Sequence, residues 1–326
     1  MIYVMQGGRC GNQLFVYAFA RSLQLKYPNE EIVFDFCGLK IGQEKYKNGL
    51  FWEDSLSRFN VINYNSINCS EGVVSQYGTK LQKMVLLIWR VVNKLIKDNT
   101  SKNAGKIRSK LLKFTSRFGI YFIQFGYAPY KLTNTKHKFA WGSFEDPRWF
   151  EDIREILLKE YTPRLPLKDE NKELYEIITK CNSVCVSLRK WALDIHEDDN
   201  LSNRDLCDST YYEKAIEIIQ GKVHAPVFIV FSDDVEWAKE TIKSISGDAM
   251  VYSESGNDDV AEKIRLMSAC KHFIISNSTF GWWPQYLCTN ENRIVISPDR
   301  WLDSFEDRHP LIMDDWILIK TRNGGK

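Results

Sequence analysis

The sequence predicts an α/β protein built on parallel sheets, in two parts. Three observations point there. The chain opens as strand, glycine turn, helix and strand over residues 2–35. Its second half repeats strand-then-helix at least three times, with polar residues at each strand end. Between the halves, Tyr161-Thr-Pro-Arg-Leu-Pro166 and the charged Lys168-Asp-Glu-Asn-Lys172 read as a linker, because prolines interrupt both helix and sheet. Strands that alternate with helices make parallel sheets, since each helix carries the chain back to the edge it left. The expected parts are residues 1–166 and 167–326.

Composition allows this. A chain of 326 residues suits one large or two medium domains, and 44% hydrophobic residues supply a core. Aromatics at 13% suit a heavy core or stacking on sugars and bases. A net charge of +2 implies no global electrostatic partner. Eight cysteines are scattered without a C-x-x-C pair, and the five histidines do not cluster near them. That argues against zinc and for a reduced, cytosolic chain. Met1-Ile-Tyr-Val-Met5 looks like a first strand rather than a charged leader. No apolar run reaches the ~18 residues of a membrane span.

In chain order, strand 2–5 runs into Gln6-Gly-Gly-Arg-Cys-Gly-Asn-Gln13. Gly7, Gly8 and Gly11 let the backbone turn tightly and let a ligand approach. The turn lacks G-x-G-x-x-G and the Gly-Lys-Ser/Thr of a P-loop. Asn12 and Gln13 at the helix start are amides that either cap the helix or hold a ligand oxygen. Helix Leu14 to about Tyr27 and strand Glu31–Asp35 follow.

Residues 80–117 stand apart, with eleven Lys/Arg against one acid, Asp98; the rest of the chain carries 33 bases and 41 acids. Leu81, Met84, Val85, Ile88, Val92, Leu95 and Ile96 share one helical face, with Lys83, Arg90, Lys94 and Lys97 opposite. A basic amphipathic helix is either a peripheral anchor on an anionic membrane or a helix packed on the core with solvated lysines. No nucleic-acid reader motif accompanies the charge, so no nucleic-acid partner is expected. Residues 118–150 are mixed strand and loop, with a turn at Trp141-Gly-Ser-Phe-Glu-Asp-Pro147. A helix from Trp149 to about Glu160 leads to the linker.

Beyond the linker, strand Ser183–Leu188 ends in Arg189-Lys190, and an acidic loop follows with Asp194, Glu197, Asp198 and Asp199. Strand Val227–Phe231 ends in Ser232-Asp233-Asp234. The run Phe273-Ile-Ile275 stops in Ser276-Asn277-Ser278-Thr279, and Phe280, Trp282 and Trp283 come next. That last stretch is either a helix cap ahead of a packed aromatic cluster or an anion site. Ligands of open α/β sheets bind outside the strands' carboxyl ends. Arginine with hydroxyls and helix N-termini suits a diphosphate, and Asp233 or Asp234 suits a ribose or base edge. D-x-D is absent from the chain, which favours a site without a metal.

At these residues the chain resembles the α-1,2-fucosyltransferases. Gly7-Gly-Arg-Cys-Gly-Asn-Gln-Leu-Phe-Val-Tyr-Ala-Phe-Ala-Arg21 looks like that family's opening block. Phe231-Ser-Asp-Asp234 resembles its second block, and Leu266–His272 with Asn277-Ser-Thr-Phe-Gly-Trp-Trp283 its closing one. The resemblance implies a GT-B architecture, two Rossmann-like domains with a cleft between them. It implies inverting transfer of fucose from GDP-fucose, without a cofactor or metal, to a galactose hydroxyl of a glycan. It implies that Arg189 grips the β-phosphate, that Ser278, Thr279 and Phe280 line the same pocket, and that Asn12 lies near the reacting centre. Gly11, Gln13, Lys190, Ser232, Asp233, Asp234 and Asn277 join the donor side. One block departs from the family: His-x-Arg-Arg-Gly-Asp is here Ser187-Leu-Arg-Lys-Trp-Ala192. The acid is missing from its place, and Asp194, Glu197 or a phosphate oxygen is left to take the acceptor's proton. A bacterial surface oligosaccharide, lipid-linked at the inner membrane face, is the expected acceptor, and the basic segment would hold the enzyme there. The rival readings are a GDP-sugar-binding protein without activity and a fucosyltransferase of another linkage.

Overall fold

The structure, a computed structural model, describes residues 1–40, 53–96, 102–124, 126–190, 205–302 and 308–321. The chain divides into two compact units, Met1–Leu56 with Val61–Leu157, and Ser57–Asn60 with Leu158–Lys326. Each is a parallel α/β layer structure, and two such units in one chain are the composition of a GT-B fold.

The first unit contains strands Ile2–Met5 (β1), Ile32–Asp35 (β2), Asn65–Ile67 (β3), Ile120–Phe122 (β4) and Lys138–Trp141 (β5). Their order is β3-β2-β1-β5-β4, all parallel. The chain moves outward from β1 to β3, then resumes on the other side of β1. The reversal lies between β1 and β5, which is where an open α/β sheet leaves a crevice. Helix Cys10–Leu25 (α1) buries Leu14, Phe15, Ala18, Phe19 and Leu23. It starts four residues before Leu14, so Asn12 and Gln13 lie inside its first turn. The cap position is Arg9, whose side chain makes no capping bond. Tyr3, Val33 and Phe139 pack in one cluster with Val73 and Val74 of helix Val73–Tyr77 (α2) and Val85 and Leu86 of helix Lys80–Leu95 (α3).

The basic segment forms two helices, α3 and Lys102–Thr115 (α4). Thr79 and Gln82 close a capping box at the start of α3, satisfying two free donors of its first turn. The inward face differs from the sequence expectation. Gln82, Val85 and Leu86 are buried, while Leu81, Met84, Ile88 and Leu95 face solvent. The Gln82 amide donates to the carbonyls of Phe118 and His137, and this turns the helix about its axis. Lys97 to Ser101 lie outside the described residues.

Helix Arg154–Glu160 (α5) leads into the Pro-rich stretch. The second unit then carries helix Lys172–Lys180 (α6), strand Asn182–Ser187 (β6), helix Ser209–Lys222 (α7), strand Pro226–Phe231 (β7) and helix Val235–Ile245 (α8). It continues with strand Val251–Ser253 (β8), helix Val260–Ser268 (α9), strand His272–Ile275 (β9), helix Thr279–Leu287 (α10), and strands Val295–Pro298 (β10) and Ile317–Ile319 (β11). Strand order is β8-β7-β6-β9-β10-β11, all parallel, the doubly wound order whose reversal lies between β6 and β9. The short edge strands β8 and β11 carry no alternation long enough to be read from sequence.

The Pro-rich stretch is packed against the second unit. Phe59 bridges Pro163, and the Arg164 amide donates to the Arg58 carbonyl at 2.9 Å. Tyr161 is buried edge-on to Trp283, centroids 5.1 Å apart. Lys168 and Asn171 donate to Asp258 and Glu262 at 2.8–3.2 Å. These contacts place the division at 157/158, where the sequence expects it at 166.

Candidate active site

The second unit's reversal point gathers residues from three adjacent strand ends. Ser187 closes β6 and lies level with Phe231 of β7 on one side and Ile275 of β9 on the other. Two tyrosines of α7 hold these ends. Tyr211 donates to the Ile275 carbonyl at 2.6 Å, and Tyr212 donates to the Ser187 carbonyl at 3.3 Å. Burial pushes both phenols well above their ordinary range, so they serve as neutral donors. Neither is recognisable in sequence beyond being apolar-face residues of a helix.

Arg189 follows β6 by two residues, and its Nη1 lies 2.9 Å from Asp233 Oδ2. Asp233 also accepts the Lys190 backbone N–H at 3.0 Å and the Ser232 hydroxyl at 3.2 Å. This carboxylate therefore sets the direction of the arginine and the path of the chain leaving β6. Asp234 caps α8 through the Trp237 N–H and binds Lys190 Nζ at 2.6 Å. The hydrogen bond from Lys190 holds the Asp234 carboxyl below the usual range. Lys190 Nζ also sits 5.3 Å from the Trp237 ring centroid. The Ser232 amide donates to Glu254, which pairs with Lys263. Arg189, Lys190, Ser232, Asp233 and Asp234 thus form one connected group, as adjacent strand ends require.

At the end of β9 the stretch divides by depth. Ser276 and Asn277 are buried. The Asn277 amide donates to the Trp301 carbonyl at 2.8 Å, so it ties a distant loop to β9. Ser278, Thr279 and Phe280 are half-buried, and Trp282 and Trp283 are wholly buried. The Ser278 side chain makes no capping bond to α10, leaving that hydroxyl's capping role untaken. Gly281 brings α10 against the end of β6: a Cβ there would lie 2.7 Å from Ser187 Oγ. A larger residue would push the N–H groups at the start of α10 away from the Arg189 strand end.

The first unit has its own reversal point, between β1 and β5. Gly8 takes φ +75°, and a Cβ on it would lie 2.7 Å from Asn12 Cβ. Asn12 Nδ2 donates to Glu145 Oε1 at 2.8 Å. Glu145 follows β5 in the Trp141–Pro147 turn, so the pair joins the two strand ends that flank the crevice. Its neighbour Phe144 adopts φ +52°, which a bulky residue rarely does. Stacking on Phe19 at 3.9 Å and edge contact with Trp149 hold it there. This unusual conformation lies immediately before Glu145, the residue that accepts from Asn12. Asp146 instead takes the local turn, accepting from the Arg148 backbone and guanidinium. The signal available in sequence was two acids after a short strand, with nothing to distinguish them.

Gly11 is buried within α1. Gln13, which the sequence reads as a helix cap or a holder of a ligand oxygen, is wholly buried. Its Nε2 donates to the Gly8 and Glu53 carbonyls, and its Oε1 accepts the Ser55 N–H. Asp194, Glu197, Asp198 and Asp199 lie outside the described residues. Among the described residues no cluster of three His, Cys, Asp or Glu could hold a metal, and no helix is long and apolar enough to cross a membrane. Among the described residues, none of the eight cysteines is in a disulfide.

Comparison with known proteins adds identity to geometry. The model of Glycosyl transferase family 11 matches residues 81–320. An O-antigen biosynthesis glycosyltransferase, WbnK of Escherichia coli, is 29% identical over 98% of this chain and 100% of its own. An alpha-1,2-colitosyltransferase of Escherichia coli is 32% identical over 55% of this chain and 61% of its own. Among solved structures, fucosyltransferase NodZ from Bradyrhizobium aligns over 87% of this chain and 91% of its own, at 13% identity and a TM-score of 0.47.

Proposed function

This chain belongs to Glycosyl transferase family 11, and we propose that it moves fucose from GDP-fucose to a galactose 2-hydroxyl of a glycan, with inversion. The observation that carries this is the Arg189–Asp233 pair at the β6/β9 reversal point, with the start of α10 packed against the same strand end. A fixed guanidinium and the free N–H groups of a helix start suit a diphosphate. The full-length relative named for O-antigen biosynthesis supports a surface oligosaccharide as the acceptor.

In this mechanism the donor binds the second unit and the acceptor the first. Arg189 bears charge that develops on the diphosphate as its bond to the sugar breaks. Ser278, Thr279 and Phe280 line the phosphate pocket. Asp234 meets the ribose or the base edge, with Lys190 holding its carboxyl. Ser232 and Asp233 position the arginine, and Gln13 and Asn277 hold the loops that frame each strand end. The acceptor hydroxyl attacks the anomeric carbon from the face opposite the departing GDP, so a β-linked donor gives an α-linked product. Within the first unit, the Glu145 carboxylate that Asn12 orients is a group suited to take the hydroxyl's proton. Asp194, the sequence's candidate for that proton, lies outside the described residues. Cationic side chain and backbone dipoles take the place of a metal, consistent with a chain that has no D-x-D.

The test is incubation with GDP-fucose and a panel of galactose-ending oligosaccharides, with linkage analysis of the product. An α-1,2-fucosylated galactoside is expected. Turnover with another GDP-sugar alone, or another linkage, would overturn the finer assignment and leave the family intact. Binding of GDP-fucose with neither transfer nor hydrolysis would make the chain a binding protein.

A further inference from the structure

Helix α3 turns an apolar stripe toward solvent. Leu81, Met84, Leu87, Ile88, Val91 and Leu95 are 53, 62, 61, 44, 53 and 74% exposed. Their spacing puts them on one side of the helix, while Gln82, Val85 and Leu86 fill the side that packs on the unit. The stripe is therefore surplus to the core. Of the fifteen large apolar side chains exposed among the described residues, eight lie in α3 and α4, Ile107 and Phe114 being the other two. An exposed apolar concentration of this kind marks an interaction surface.

Charge identifies the occupant. Lys80, Lys83, Arg90 and Lys94 are exposed and occupy the arc beside the stripe. On α4, Lys106, Lys110 and Lys113 are exposed around Ile107 and Phe114. The only acid of the whole segment is Asp98. A second copy of this chain would seat a matching stripe, but along a helix only about 24 Å long. It would also bring basic arcs together with no acids to pair them. An anionic lipid surface satisfies both parts: acyl chains take the stripe and headgroups take the lysines.

We propose that α3 and α4 form a peripheral docking surface for an anionic bilayer, with the Leu81–Leu95 stripe lying in the interface plane. The surface stands whether or not the donor is GDP-fucose. It suits a transferase whose acceptor is presented at a membrane.

The full chain is sedimented with phosphatidylcholine vesicles, with and without phosphatidylglycerol. Recovery at least about tenfold higher with the anionic vesicles is expected, falling as salt rises. The double variant Leu87→Glu with Val91→Glu is expected to lose that binding, and Lys83→Glu with Lys94→Glu to weaken it about tenfold. Both pairs are exposed, so their circular dichroism, melting temperature and turnover on a soluble acceptor should match wild type. Equal recovery on both vesicle types overturns the proposal. So does undiminished binding by the Leu87/Val91 variant. A dimer in light scattering that this variant abolishes, without vesicle binding by wild type, would assign the stripe to a second copy instead.

Discussion

The two reversal points are built alike and charged differently. Each has a glycine that allows close approach, Gly8 beside Asn12 and Gly281 beside Ser187. Each has a buried amide that ties in a distant loop, Gln13 to residues 53–55 and Asn277 to Trp301. The paired side chains differ. The first unit offers an amide holding a carboxylate, Asn12 with Glu145. The second offers a carboxylate holding a guanidinium, Asp233 with Arg189. One arrangement suits removal of a proton and the other suits a leaving anion. The two parallel scaffolds thus carry paired side chains of opposite character, which the proposed transfer from a sugar diphosphate to a hydroxyl would use.

The sharpest way to break that contrast is Arg189→Ala. Transfer should fall by about a thousandfold, the cost of losing a charged contact to the leaving group, with the melting temperature retained. Near-normal turnover would remove the second site from the mechanism. Glu145→Gln should lower kcat about a hundredfold while leaving donor affinity unchanged. A loss of donor affinity with kcat retained would make Glu145 structural.

Acid should loosen the second site. Burial pushes the His309 imidazole down to about 4, and its ring stacks on Trp301, whose carbonyl receives Asn277. The unfolded chain binds this proton below ~6.5 and the folded chain only near its lowered value, so the histidine costs stability as pH falls between the two. The loss should reach at most about 3 kcal/mol, seen in urea unfolding at about pH 7 and about pH 4.5 and reduced in His309→Phe. No difference between wild type and variant would place the imidazole in water. Tyr211→Phe should cost about 1–2 kcal/mol, because it removes the donor to a buried strand-end carbonyl. The smallest effect is expected from chelation: the rate of transfer after EDTA treatment should be unchanged, and metal-dependent rescue would contradict charge stabilisation by Arg189 and α10.

Most of the architecture is legible from local pattern. Short apolar strands, amphipathic helices and polar residues at strand ends are written within ten residues of one another, since periodicity and capping act at that range. So the parallel α/β class, the strand leading to Arg189 and the Ser276–Phe280 stretch could be read directly. Which strand ends become neighbours could not. Asn12 and Glu145 are 133 residues apart, and only the placement of β5 beside β1 brings them to 2.8 Å. An amide at a helix start, such as Gln13, has the same pattern whether it faces a ligand or the core, and Asn277 joined the donor side only through the family resemblance. Burial is decided by what packs over it, here residues 53–55 and Trp301. The face that α3 exposes was ambiguous for a related reason. Its apolar residues cover more than one side, and the Gln82 bonds to Phe118 and His137 select which side the unit covers. Composition along the chain determined that two parallel units and a phosphate-suited strand end would exist. Contacts between residues far apart in sequence decided strand order, the partner of Asn12 and the outward face of α3, because those depend on long-range packing that no local window contains.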